Sequence, residues 1–317
     1  MDGGDDRGVD ALKSFVRAML GRPGPNRPGR FDRWLGRVRD EVDRRHLRHP
    51  ERRPWYLTVR PLPFTRADLV LSWSAKSGSM AVLWWYLAVE NRLRAARAVA
   101  AGPHAYVSSH LYWSWRIARR LPVGEELSSW TLMRVMRNPL RRLVSGFRHA
   151  VRTGYADRDL TRLRGREIRA AEGLSIVEYL ELLAAVDVSD CNAHHRLQRN
   201  PVDDLDFGRV VTIDIDSEDL DAALRRVSAE FGLPSIPLDS LPMMEHLAWH
   251  HHAPPDDASR IGDRSDEELL HHRFTVHDTR HHWPGRRLAA LPEVQEAARR
   301  LYAPDWAWLE QHRSPSP

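Results

Sequence analysis

Apolar positions along the chain repeat one grammar: a short buried run, a small polar loop, then a longer stretch with helical spacing. Leu69, Val70 and Leu71 make the first run, and after a Ser-Lys-Gly turn the apolar stretch 80–89 reads as a helix. In the second unit, residues 130–136 alternate and are apolar enough for a buried strand. Asn138 and Pro139 then supply the N-cap and first position of a helix that should run to about Gly154. The third unit is a strand at 210–215 and a helix carrying Leu220, Leu224, Val227 and Phe231 on one face, closed by Gly232 and Pro234. Three such units predict an α/β fold with a central parallel sheet flanked by helices.

The remaining pattern is less regular. Residues 9–20 suit a short amphipathic helix and 21–30 are rich in Pro and Gly, so 1–30 reads as a flexible N-terminal segment. Phe31, Trp34, Leu35 and Val38 have helical spacing and place 31–46 on the edge of a single domain spanning 31–312. The stretch 245–283, with Pro, Asp and clustered histidines and little periodicity, reads as a long irregular insertion. Helical spacing returns over 292–311 through Val294, Ala298, Leu301 and Trp308, and 313–317 reads as a disordered tail.

Composition narrows the class. With 42% hydrophobic and 29% charged residues the chain is too apolar for global disorder and too charged for a membrane bundle. Its longest apolar run, 80–89, is about half the roughly 20 residues that cross a bilayer. The acidic start MDGGDDRGVD does not resemble a secretory leader, and the single cysteine, Cys191, excludes an internal disulfide; both point to a cytoplasmic address. A net charge of +5 favours anionic partners. Arginine is spread along the whole chain, however, and no standard nucleic-acid-binding signature is present. An Arg- and Ala-rich composition also suits a bacterial, GC-rich genome.

Two segments carry candidate chemistry. SWSAKSGSM, residues 72–80, lies between the first strand and its helix, where a turn at Gly78 and a helix start bring backbone N–H groups to an anion. Lys76 adds a positive charge, and Ser77 and Ser79 add hydroxyl donors. It is not the triphosphate loop G-x-x-x-x-G-K-[ST], because the lysine precedes the glycine. In the second segment, RVMRNPLRRLVSGF, Arg137 ends a strand and Ser145 lies about two turns along the following helix. A guanidinium and a hydroxyl beside a helix start suit a phosphate monoester. Alternatively, Arg137 pairs with a carboxylate and Ser145 bonds back to the carbonyl of Arg141.

Together these segments resemble the sulfotransferases that use 3′-phosphoadenosine 5′-phosphosulfate (PAPS), closest to the carbohydrate branch. The resemblance implies a P-loop-like sulfotransferase fold, with Lys76, Ser77, Gly78, Ser79 and Met80 on the 5′-phosphosulfate and Arg137 and Ser145 on the 3′-phosphate. Arg142 matches a further arginine of that family. Asn138 and Ser79 stand where aspartate and threonine are usual. Looser likenesses are NAHHRLQ, residues 192–198, and LYAPDWAWL, residues 301–309. The implied reaction is in-line sulfuryl transfer to a hydroxyl of a carbohydrate, a glycolipid or another small-molecule acceptor, with PAPS as co-substrate and no metal.

Such transfer needs a base at the acceptor hydroxyl. His110, in AYVSSHLYW, follows a short alternating run and would emerge at a strand end, which makes it the first candidate; His194 and His195, at the acceptor, come next, and Glu90 is a distant third. The histidines of 246–282 are mostly adjacent rather than at helical spacing, which favours an acceptor-facing loop over a metal site. Trp84, Trp85 and Tyr86 read as core. The rival readings are an ATP-dependent small-molecule kinase and a non-enzymatic anion- or nucleic-acid-binding protein.

Overall fold

The computed structural model describes residues 60–98, 102–111, 120–122, 124–241, 261 and 263–312, the side chains of Ser109 and His110 excepted. The segments expected at 1–30, 31–46 and 313–317 lie outside the described residues.

Four strands form one sheet whose spatial order follows the chain order. β1 (Leu62–Pro63) runs antiparallel to β2 (Leu69–Trp73), β2 runs parallel to β3 (Thr131–Met136), and β3 parallel to β4 (Arg209–Asp214). The sheet is thus mixed, which corrects the wholly parallel expectation. β1 escapes pattern reading because it is two residues long and contains a proline, a residue tolerated only at a sheet edge. A tight reversal attaches it, with Phe64 N–H donating to Leu69 O at 2.9 Å.

After β2 come α1 (Ser79–Val89), α2 (Leu93–Arg97), α3 (Gly102–Tyr106) and a π-turn at Val107–Leu111. Between β3 and β4 lie α4 (Pro139–Thr153), α5 (Asp157–Arg164) and α6 (Ile176–Ala185). Beyond β4 follow α7 (Leu220–Glu230), α8 (Asp266–His271), α9 (Asp278–His281), α10 (Gly285–Ala290), α11 (Pro292–Leu301) and α12 (Ala303–His312). The single C-terminal helix expected over 292–311 is therefore broken at Tyr302, because Pro304 restricts the backbone before it and opens a new helix.

Local chemistry explains the ends of the long helices. Asn138 accepts from the N–H groups of Leu140 and Arg141 at 3.0 and 3.2 Å, Pro139 takes the first position, and Gly154 closes α4 at φ 65°. α1 is apolar nearly all round, as a helix buried on every side must be. Trp84, Trp85 and Tyr86 are indeed core, and Tyr86 Oη donates to Pro63 O at 2.9 Å. α4 instead buries one face, Leu143, Val144, Phe147, Ala150 and Val151, in a second core shared with α6, α10 and α11.

That second core also receives the described part of the expected insertion. Leu269, Leu270, Phe274 and Trp283 are buried, Phe274 exchanges two 3.0 Å backbone bonds with Leu174, and its ring meets Phe147 and Trp283 edge-on at 5.6 and 5.2 Å. Residues 263–283 are thus packed structure rather than an irregular loop. Their apolar anchors are too sparse to show a period, since each plugs a separate gap. Residues 242–260 lie outside the described residues.

One row of the sheet is polar. Ser72, Arg134 and Thr212 are register partners across β2, β3 and β4, and all three are buried. Arg134 meets Asp203 at 2.7 Å with both side chains fully enclosed, so the chain around 198–203 is held to this face by a buried ion pair. Among the described residues no helix is long and apolar enough to cross a membrane.

Candidate anion-binding site

β2, β3 and β4 end side by side at Trp73, Met136 and Asp214, so the loops that follow share the carboxyl edge of the sheet, where open α/β sheets hold ligands. Lys76 sits in the loop after β2 at φ 69°, a left-handed conformation that costs a non-glycine residue about 1–2 kcal/mol. Gly78 follows at φ 70° and opens α1. The first helical bond is Val82 N–H to Gly78 O at 3.1 Å, so the amides of Ser79, Met80 and Ala81 have no carbonyl within the helix to bond. A ligand anion would meet these amides together with Lys76.

The loop is fastened to the second candidate segment from beneath. Ser77 Oγ donates to Gln198 Oε1 at 2.8 Å, and the same oxygen accepts Arg137 N–H at 2.9 Å. Gln198 Nε2 donates to Arg137 O at 2.7 Å, while Gln198 N–H and Arg199 N–H donate to Asp305 at 2.9 and 2.8 Å. Arg142, buried, donates from Nε to Ala75 O at 3.0 Å and from Nη2 to Ala193 O at 3.3 Å. Arg137 Nη1 itself reaches Lys76 O at 3.4 Å. Lys76 and Arg137 therefore belong to one site.

Individual roles differ from expectation in several places. The Ser77 hydroxyl is spent on Gln198 and its N–H donates to Ser74 O at 3.4 Å, which corrects its expected place on the phosphosulfate. Arg137 Nε pairs with Asp216 at 3.3 Å, and Asp216 also takes Asn138 N–H at 3.0 Å and Arg141 Nη1 at 3.2 Å. The carboxylate alternative for Arg137 is thus present, and it fixes the guanidinium while Nη2 makes no hydrogen bond among the described residues. Ser145 is half-buried and makes no hydrogen bond from its hydroxyl among those residues, including to Arg141. It lies about 10 Å along α4 from Asn138.

The histidines separate by environment. His195 is 1% exposed with neither ring nitrogen bonded among the described residues, and burial pulls its pKa down to about 4. It cannot touch an acceptor and is a buried neutral ring, which corrects its expected place at the substrate. Its neighbour His194 is half-buried, donates from Nδ1 to Asn192 Oδ1 at 2.9 Å, and meets the rings of His149 and Tyr155 at 4.5 and 4.6 Å in a tilted cluster of three. Burial first and the Lys76 charge second lower the His194 pKa to about 4. Its Nε2 then carries a lone pair at neutral pH.

His110 falls in the π-turn rather than at a strand end, because Val107 and Leu111 are buried one helical turn apart; its side chain lies outside the described residues. Glu90 lies at the far end of α1 from the loop, and its carboxylate accepts Thr65 N–H at 3.0 Å and Thr65 Oγ1 at 2.8 Å. That tether removes Glu90 from the site. His104, which no motif marked, brings Nε2 to 3.4 Å from Ser79 Oγ, and desolvation lowers its pKa.

Burial, followed by Arg137, Arg152, Arg148 and Arg142, lowers the Lys76 pKa to about 8. A lysine pressed by four arginines is a place where a multiply charged anion relieves repulsion. Gln198, Asp216, Asn192, His149 and Tyr155 were not named as site residues from sequence; only NAHHRLQ, which runs from Asn192 to Gln198, hinted at two of them. A surface cleft of about 500 Å³ is lined by Arg152, Arg158, Thr161, Glu167 and Glu172, and neither Lys76 nor Arg137 lines it. Among the described residues no group of three or more His, Cys, Asp or Glu side chains is placed to hold a metal ion. No protein family matches the chain, and no curated protein or solved structure matches it either.

Proposed function

We propose that this chain is a PAPS-dependent sulfotransferase, its mixed α/β sheet a form of the P-loop-like sulfotransferase fold. The reading is supported above all by the fastening of the Lys76 loop to the Arg137 strand end through Gln198, which sets two cationic sites against one another at the carboxyl edge of the sheet. PAPS, when bound, supplies a sulfuryl group on an activated phosphate. Lys76 and the amides of Ser79 and Met80 hold the 5′ end and stabilise the charge that grows on it as the bond to sulfur breaks. Arg137, oriented by Asp216, and Ser145 hold the 3′-phosphate through Nη2 and Oγ.

The acceptor hydroxyl must lose a proton as its oxygen attacks sulfur in line. His194 has the geometry for this: Asn192 holds Nδ1–H, and Nε2 is unprotonated at neutral pH. Its low pKa makes it a weak base in the free protein, and an anion compensating Lys76 moves that pKa upward. The acceptor is a hydroxyl-bearing carbohydrate or small molecule.

The deciding experiment is ligand-induced thermal stabilisation followed by mass detection. Adenosine 3′,5′-bisphosphate should raise the melting temperature far more than ATP, and PAPS with pooled acceptors should yield a product heavier by one sulfuryl unit. Equal stabilisation by ATP and by the bisphosphate would reject the reading.

A further inference from the structure

α4 carries a second polar feature, whose Arg148 and Arg152 also add positive charge around Lys76. Ser145, Arg148, His149 and Arg152 fall at i, i+3, i+4 and i+7, one stripe along the helix, and all four are half-buried. The stripe begins at the proposed 3′-phosphate hydroxyl and runs away from it toward α9. His149 lies against His194, 4.5 Å between ring centroids, so the middle of the stripe borders the proposed base.

Arg148 is fixed in place without being neutralised. Its Nε and Nη2 donate to Thr279 O at 3.0 and 2.6 Å, and its guanidinium lies 5.9 Å from the centre of the Trp283 ring. The partner is a carbonyl, not a carboxylate, and among the described residues neither Arg148 nor Arg280 forms an ion pair. Arg280, on α9 next to Thr279, is exposed and adds a third guanidinium to the same wall. Burial and Arg152 lower the Arg148 pKa to about 10, and burial and Arg280 lower that of Arg152. Three guanidinium groups that repel one another along one wall form a place that an anion would stabilise.

We propose that Arg148, Arg152 and Arg280 form an acceptor subsite for an acidic substituent, so that the group sulfated is a hydroxyl on a molecule that already carries a carboxylate or a phosphate. The identity of this site as an acceptor subsite rests on the sulfotransferase reading; its capacity to bind an acidic saccharide does not. The fixed guanidinium of Arg148, next in sequence to the His149 ring that meets His194, would orient the acceptor by its acid group and present a neighbouring hydroxyl to Nε2.

The experiment is calorimetric binding of a uronic-acid disaccharide, a hexose 6-phosphate, the neutral disaccharide counterpart and a short oligonucleotide, each with and without adenosine 3′,5′-bisphosphate. Wild type is compared with Arg280→Glu, at an exposed position where the fold should persist, and with Arg152→Gln. At least one acidic ligand should bind at least about tenfold tighter than the neutral one, each substitution should remove that preference, and Arg280→Glu should leave bisphosphate binding unchanged. The better of the two acidic ligands names the substituent. Equal binding of acidic and neutral saccharides, or full preference retained in both variants, would overturn the subsite. Acidic binding that depends on these arginines with no bisphosphate binding would keep the anion groove and sink the sulfotransferase reading; preference for an oligonucleotide over both saccharides would make the groove a nucleic-acid surface and reject the proposal.

Discussion

Gln198 grips the main chain of Arg137 from both sides, accepting its N–H at 2.9 Å and donating to its carbonyl at 2.7 Å, across 61 residues of sequence. Gln198→Leu is expected to leave Ser77 Oγ and two backbone groups of Arg137 without partners, a loss of about 2–4 kcal/mol measurable by chemical denaturation. Bisphosphate affinity should fall with it, because the two anion-holding loops lose their common clip. A variant as stable as wild type that binds normally would show that Gln198 does not join them.

Lys76 combines a left-handed backbone with a charge that its surroundings disfavour. Lys76→Gly is therefore expected to hold or raise thermal stability, by up to about 1 kcal/mol, while abolishing sulfuryl transfer. Lys76→Arg should restore charge without restoring turnover, since a planar fork does not replace a compact ammonium. Turnover by Lys76→Gly within a few-fold of wild type would take Lys76 out of the chemistry.

At Gly146 on α4 an added Cβ would lie 2.9 Å from Tyr179 Oη and 3.4 Å from His194 O. Tyr179 is locked by its 2.9 Å hydroxyl contact with Tyr155, which in turn faces His194. Gly146→Ala should cost about 1–3 kcal/mol and lower kcat more than it raises the KM for PAPS, because the base shifts while the nucleotide loops stay. An unchanged kcat would exclude His194 as the base.

Acid should destabilise the protein through its histidines. His195 has a folded pKa of about 4, below the ordinary histidine value of 6.5, so the unfolded chain binds more protons between those limits and stability falls as pH drops from 6.5 toward 4. The loss from His195 is roughly 3 kcal/mol, and His195→Leu should flatten that part of the stability profile. A profile still as steep in the variant would assign the acid sensitivity elsewhere.

Activity should follow the opposite pair of limits. With His194 needed neutral and Lys76 needed charged, kcat/KM in the free enzyme should rise through pH about 4 and fall through about 8. Lys76 also affects stability: between pH 8 and its ordinary value of 10.5 the unfolded chain binds the extra proton, so this group makes the fold more stable as pH rises. Bisphosphate affinity of the wild type should weaken along the same alkaline limb near 8, and that of Lys76→Arg should not; a limb retained in the variant would deny its assignment to Lys76.

Local signals sufficed for the three strand–loop–helix units and for the Asn138, Pro139 and Gly154 boundaries of α4, because caps and periodicity act over a few neighbouring residues. They also marked Lys76 and Arg137. What no local pattern contained was the antiparallel β1, the packing of Phe274 and Trp283, or the meeting of Lys76, Arg137, Gln198 and Asp216. Those depend on strand order and on bonds such as Ser77 to Gln198, 121 residues apart. The side chains at 194 and 195, adjacent in sequence, show the same division: the chain wrote two histidines, and only the tertiary burial made one a sealed neutral ring and the other a half-open imidazole under the charge of a lysine.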